Sequence, residues 1–170
     1  MAYGTFSGVT NYFAMVGKKA DDLSERVGYY GEQLVLLAQT LGLNTCWVGL
    51  TYNNIKDAYI KGNDEKLCCM IALGYGDDPG RNLKRKTVKQ VSNVSDLTPA
   101  WFKKGVEAAL LAPTAVNQQK FSFEYVGKKN NRHIVKANKG FSLIGYTKMD
   151  LGIAKYHFEI AVENANFVFI

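Results

Sequence analysis

Apolar residues in this chain fall into short runs of strand length set among longer stretches with helical spacing, and the two kinds do not alternate strictly. Asn11 to Val16 (NYFAMV), Thr45 to Gly49 (TCWVG), Lys66 to Leu73 (KLCCMIAL) and Asn166 to Ile170 (NFVFI) read as strands. Phe121 to Val126 and His133 to Ala137 read as two more, joined by an Asn130-Asn131 turn. From about Ser24 to Leu41 the spacing predicts a helix, since Leu34, Leu37, Ala38 and Leu41 recur at helical intervals. Gly42 suits the left-handed residue that ends it. Thr98 followed by Pro99 predicts an N-cap and first turn for a helix to about Leu111. Asn53 or Asn54 can cap a short helix to about Tyr59. A last helix is expected from Asp150 to about Asn164, with Ile153, Tyr156, His157, Ile160 and Ala161 near one stripe. This mixture predicts an α+β fold.

The chain has 170 residues, 47% of them hydrophobic, enough for one ordinary core and too many for a disordered chain. It has only 3 prolines, and no low-complexity stretch marks a linker. No apolar run is long enough to span a bilayer, and Met1 to Thr5 lacks the basic-then-apolar pattern of a signal peptide. The expectation is a cytoplasmic protein without a membrane partner. Cys46, Cys68 and Cys69 cannot all pair and lack metal-ligand spacing. Lying in apolar runs, they read as small buried hydrophobes, with no metal site. His133 and His157 are far apart in sequence and form no triad-like pattern; His157 reads as a satisfied core histidine.

Formal net charge is +6, much of it between Arg81 and Lys89, with Lys103, Lys104, Lys128 and Lys129. A nucleic-acid binder or a protein holding a phosphorylated cofactor can carry such a charge. Single-strand binding needs aromatics interleaved with the basic run. Arg81 to Gln90 contains none, so no nucleic-acid partner is expected.

Three segments carry candidate chemistry. Gly42 to Gly49 (GLNTCWVG) ends a helix and leads through a strand to a glycine that lets backbone approach another group closely. Ala112 to Gln119 (APTAVNQQ) gathers a hydroxyl and three amides on a tight turn after a helix. Amides both donate and accept, which suits a heteroaromatic ring with alternating N–H and C=O groups, although a polar loop with an Asn turn fits equally well. Lys84-Arg85-Lys86 places two cations on one side if extended, as a terminal phosphate requires; a solvated surface run is the ordinary alternative.

Together these segments, with the strand end LGYG and the helix MDLGIAKYHFE, resemble the nitroreductase family, above all its subgroup with two tandem half-domains on one chain. The turn APTAVNQQK is similar to the family's Ala-Pro-Ser-x-x-Asn-x-Gln-Pro pattern, with Thr114 for Ser and Lys120 for Pro. The resemblance implies a mixed sheet flanked by helices and an internal duplication, residues 1–95 forming one half and 96–170 the other. A weak echo fits this: helix Gly31 to Gly42 leads to Cys46-Trp47 as helix Gly152 to Glu163 leads to Phe167-Val168-Phe169. It also implies FMN as cofactor, with Pro113, Thr114, Ala115, Asn117 and Gln119 along the flavin edge. Val48, Gly49 and Leu50 would lie near its reactive side, and Lys84 and Lys86 at its phosphate. The implied activity passes hydride from NAD(P)H through FMN to a nitroaromatic or quinone acceptor, with no catalytic side chain required. A flavin-derived domain without turnover is the alternative. The chain departs from the family in lacking its opening helix and Arg-x-Ser-x-Arg motif, so a first half without its N-terminal segment is expected. A homodimer and a pseudo-dimer within one chain are both compatible with the resemblance.

Overall fold

The computed structural model describes residues 8–49, 58–77, 80 and 83–170. In chain order they form β1 (Asn11–Lys18), α1 (Leu23–Thr40), β2 (Asn44–Val48), β3 (Glu65–Gly74), α2 (Val88–Val91), α3 (Ala100–Ala109), a 3-10 turn (Ala115–Asn117), β4 (Phe121–Lys129), β5 (Arg132–Lys139), α4 (Thr147–Ala161) and β6 (Phe167–Phe169). The fold is α+β, as expected. The short helix anticipated after Asn53 falls largely outside the described residues.

The strands divide into two three-stranded sheets, which corrects the expectation of one mixed sheet. β3 lies between β1 and β2, antiparallel to both. In the other sheet β5 lies between β4 and β6, antiparallel to the first and parallel to the second. Both edges of each central strand are therefore taken, and neither offers a ladder to the other sheet. The β4–β5 hairpin turns on Asn130 and Asn131, both at positive φ, a conformation that asparagine tolerates and that matches strand twist.

One core joins both sequence halves. It includes Leu23, Val27 and Cys69 from the first and Phe102, Val106, Phe123, Val135 and Phe158 from the second. Phe158 is fully buried, with ring centroids of Phe123 and Phe102 at 5.0 and 5.9 Å. Burying such a ring stabilises by roughly 1.5–3 kcal/mol. Gly105 admits it: a Cβ there would lie 2.6 Å from the Phe158 ring.

α1 turns inward the face of Leu23, Val27, Gly28, Gly31, Glu32 and Ala38. Leu37 and Leu41, which helped mark the helix in the sequence, are more than half exposed. The reason is the crossing with α4. Gly28 meets the Met149 carbonyl, Gly152 meets the Glu25 carbonyl, and Gly31 meets the Trp47 ring. Backbones approach there more closely than leucines would permit. Across the crossing, Lys155 pairs with Glu25 and the Tyr29 and Tyr156 rings meet edge to face. Buried Glu32 accepts from Trp47 Nε1 (3.2 Å) and meets His157 Nε2 (2.8 Å), so His157 is a satisfied core histidine. On α4, Ile153 and His157 are buried, whereas Ile160 of the anticipated stripe is exposed.

Two smaller expectations are corrected. Cys69 is buried, but Cys68 is only partly so and Cys46 is exposed. Alternation along β2 turns Trp47 toward α1 and Cys46 outward. Pro99, not Thr98, is the N-cap of α3. The Thr98 hydroxyl instead donates to the Ser95 carbonyl (2.8 Å). The sequence reading also passed over α2, whose Thr87–Gln90 capping box fixes its start.

Candidate functional site

Beyond α3 the backbone is extended at Thr114, and three of the next five residues have positive φ: Val116 (48°), Asn117 (55°) and Gln119 (46°). A β-branched residue in that region is strained, on the order of 1–3 kcal/mol, and persists only if its surroundings hold it. Within the turn, Asn117 N donates to the Thr114 carbonyl (2.9 Å) and Gln119 N to Thr114 Oγ1 (3.0 Å). Gln119 is buried and acts as a hub. Its Nε2 donates to Asn117 Oδ1 (3.0 Å) and to the Lys84 carbonyl (2.9 Å). Its Oε1 accepts from Lys86 N (2.8 Å), and its carbonyl from Lys86 Nζ (2.6 Å). Asn117 Nδ2 also donates to the Lys84 carbonyl (2.9 Å). Segments more than thirty residues apart are thereby clamped into one unit.

The other side of the turn is held by α4. Ala115 N donates to Asp150 Oδ1 (3.0 Å), and Gln118 Nε2 to Asp150 Oδ2 (2.6 Å) and to the Gly145 carbonyl (3.0 Å). Gln118 Oε1 is buried with no hydrogen-bond partner among the described residues. Next to Gly145, Tyr146 donates its hydroxyl to the Gly49 carbonyl (2.9 Å). A Cβ on Gly49 would lie 2.7 Å from that ring, so the close approach expected of Gly49 is real.

Of the residues picked out in the sequence, Lys84, Lys86, Thr114, Ala115, Asn117 and Gln119 thus form one hydrogen-bonded unit, and Gly49 joins it through Tyr146. Pro113 is exposed at its entrance. Val48 is buried beside Met70 and Ala72. Leu50 lies outside the described residues.

Two electrostatic features stand out. Asp150 is 2% exposed, and burial pushes its carboxyl up to about 6, against the opposing pull of the Ala115 N–H and the Gln118 amide. Burial and neighbouring Lys120 lower the Lys86 ammonium. Asp150 and Tyr146 were not picked out from the sequence, and Gln118 only as one of the turn's three amides. The available signal was an acid inside the apolar stretch MDLGIA, since a buried carboxylate needs specific partners.

Two surface grooves, of about 490 and 370 Å³, lie at the opposite end of α4, around Ile160, Val162 and Glu163. Neither includes a residue of the turn. Their chemistry is mixed, whereas the turn concentrates amides, a buried acid and two lysines. Among the described residues no group of His, Cys, Asp and Glu is placed to hold a metal ion, and no helix is long and apolar enough to cross a membrane.

The fold is similar to that in the crystal structure of a "putative nitroreductase (tm1586)" from Thermotoga maritima, with a TM-score of 0.64 and 24% identity. The match covers 88% of this chain and 59% of that one, so this chain spans well under two thirds of that relative's length. At this identity the likeness carries the fold alone. No curated protein matches the chain. Residues 1–162 match the family model described as "Putative TM nitroreductase". With nearly its whole length matched, the chain belongs to the TM nitroreductase family.

Proposed function

We propose that the chain is an FMN-dependent oxidoreductase that takes hydride from NAD(P)H and delivers it to a nitroaromatic or quinone acceptor. The observation that carries this reading is the clamp of Lys84 and Lys86 onto the amides of Asn117 and Gln119. That clamp supports the reading because it brings the lysines expected at an FMN phosphate close to the amides expected at its ring.

The residues present fit such a group. Among the described residues Asn117 uses one N–H on the Lys84 carbonyl and accepts one bond from Gln119, leaving an N–H and a lone pair for a ring amide. Among the same residues Lys86 uses one N–H on the Gln119 carbonyl, leaving two for an anion. Lys84 is exposed and forms no ion pair among the described residues. Bound FMN would supply the hydride chemistry, and the protein supplies orientation and electrostatics. Thr114 and Gln119 fix the turn, Asn117 presents its amide, and Gly49 with Tyr146 sets the distance of the β2 end.

The same reading treats α1–β2 and α4–β6 as equivalents in a duplicated framework. In support, each helix runs through a short connection into a strand, and the two helices cross. The test is the visible spectrum after FMN reconstitution and desalting, followed by NAD(P)H oxidation with a nitroaromatic and with a quinone. A flavin spectrum with acceptor-dependent oxidation is expected. A colourless protein with no flavin titration would overturn the reading, and retained flavin without turnover would reduce it to binding alone.

A further inference from the structure

We propose that Asp150 is a positioning residue for the cofactor turn: its buried carboxylate locks residues 115–118 in the conformation that FMN meets. The inference rests on the flavin reading above. Both carboxylate oxygens are directed to the turn, one on the Ala115 N–H and one on the Gln118 amide. Asp150 forms no ion pair among the described residues. A buried carboxylate without a cation is a poor way to stabilise a core, where an apolar residue of similar size does better. Its place is explained by what it holds: a backbone with Val116 and Asn117 in left-handed conformation, whose Ala115 N–H has this carboxylate as its acceptor.

The Gln118 Oε1 atom, buried and without a hydrogen-bond partner among the described residues, lies in the same cluster. A strained backbone, an unpaired acceptor and an uncompensated acid in one place mark a site held for a purpose other than stability. Charged and titratable groups nearby have other partners. Lys148 Nζ donates to the Asp21 carbonyl, Lys155 pairs with Glu25, and Lys86 Nζ donates to the Gln119 carbonyl. The Tyr146 hydroxyl goes to Gly49, and His157 faces Glu32. With its carboxyl raised to about 6, Asp150 takes up a proton in mildly acid solution and becomes a weaker acceptor for both donors.

The experiment compares wild type, Asp150→Ala and Asp150→Asn. It reads amide hydrogen exchange in the cofactor-free protein and FMN and riboflavin titrations from pH 5 to 8. Asp150→Ala is expected to speed exchange at Ala115 and Asn117 by about tenfold or more, with α3 and β4 unchanged, and to weaken FMN binding by a similar factor. Asp150→Asn keeps an acceptor for Ala115 but not for Gln118. Its affinity should be intermediate and, for riboflavin, which lacks the phosphate that itself titrates at about 6, flat with pH, whereas wild type weakens as pH falls through about 6. Wild-type exchange and affinity in Asp150→Ala would overturn the proposal, as would wild-type pH dependence of riboflavin binding in Asp150→Asn. Should Asp150→Ala not fold, Asp150→Asn carries the test alone, and wild-type exchange at Asn117 together with wild-type affinity in it would overturn the proposal. If wild type binds no FMN at any pH, the flavin reading falls and the positioning role with it. The exchange data then show separately whether Asp150 still fixes the turn.

Discussion

Asn117 and Asp150 show how unevenly single residues of the site could be read. The amides of Asn117, Gln118 and Gln119 stand together in the sequence, and the lysines at 84 and 86 announce themselves by spacing. That the two groups touch was not legible, because the contacts run between segments more than thirty residues apart. Asp150 is the one acid in the apolar stretch MDLGIA, and its partners are 32 and 35 residues upstream. Asn117→Ala should cost about 1–3 kcal/mol of FMN binding, one to two powers of ten in a flavin titration. Part of that loss belongs to the turn, since Gln119 Nε2 loses an acceptor. Unchanged affinity would make the turn an ordinary loop. Lys84→Ala is the cleaner test of the phosphate cation, because Lys84 meets the turn through its carbonyl, whereas Lys86 uses its ammonium as well. The affinity gap between wild type and Lys84→Ala should narrow as salt rises; no gap at low salt would remove Lys84 from the site. Asp150 also predicts a stability profile. Its folded carboxyl is raised from 3.8 to about 6, so the folded chain holds this proton more tightly than the unfolded chain. The contribution favours folding fully below about pH 4 and is lost as pH rises to about 6. Asp150→Asn removes that titration. Denaturant melts should show the variant gaining on wild type between those values, by on the order of 1–3 kcal/mol. An increasing advantage for wild type over the same range would contradict the raised carboxyl.

At the scale of elements, the kinds and approximate limits of helices and strands were legible, but the faces they turn inward were not. Hydrophobic spacing in α1 marks Leu34, Leu37 and Leu41, yet the helix packs on its glycines, because the absence of a side chain is what allows close approach to α4. Pattern reading weights apolar side chains and is blind to that. The sheets show the same limit. Each strand was recognisable from its own residues, but the pairing of β3 with both β1 and β2 depends on partners distant in sequence. The crossing makes a sharp prediction. A Cβ at Gly152 would collide with the Glu25 carbonyl, a backbone atom that cannot rotate away. Gly152→Ala must therefore separate the helices and should destabilise by at least about 1–3 kcal/mol. A melting temperature equal to wild type would show that the helices are less close than described. Glu32→Ala attacks the same crossing differently, leaving Trp47 Nε1 and His157 Nε2 without their buried acceptor. About 1–3 kcal/mol is expected for each group left unpaired, read as a lower denaturation midpoint.

For the whole molecule, the sequence suggested two halves, and the core does not observe that division. Leu23 and Val27 of α1 and Cys69 of β3 sit in the same cluster as Phe102, Phe123 and Phe158. The candidate site is divided the same way, with Lys84 and Lys86 on one side of the proposed boundary and Asn117 and Gln119 on the other. Folding of the second half is thus coupled to that of the first. Residues 96–170 alone would keep the phenylalanine cluster. They would expose the α4 face of Gly152, Ile153 and His157, which contacts α1 in the intact chain. That exposed surface includes His157 without its Glu32 partner, so it combines an unsatisfied polar group with uncovered apolar area. The expected result is one cooperative thermal transition for the whole chain, with calorimetric and van't Hoff enthalpies equal. Residues 96–170 expressed alone should lack a cooperative melt or self-associate. FMN, if it binds across the boundary as proposed, should raise the single transition as a unit rather than split it. Two resolved transitions, or a separately expressed 96–170 segment that melts cooperatively as a monomer, would show that the halves are independent and that the shared core is not what holds them.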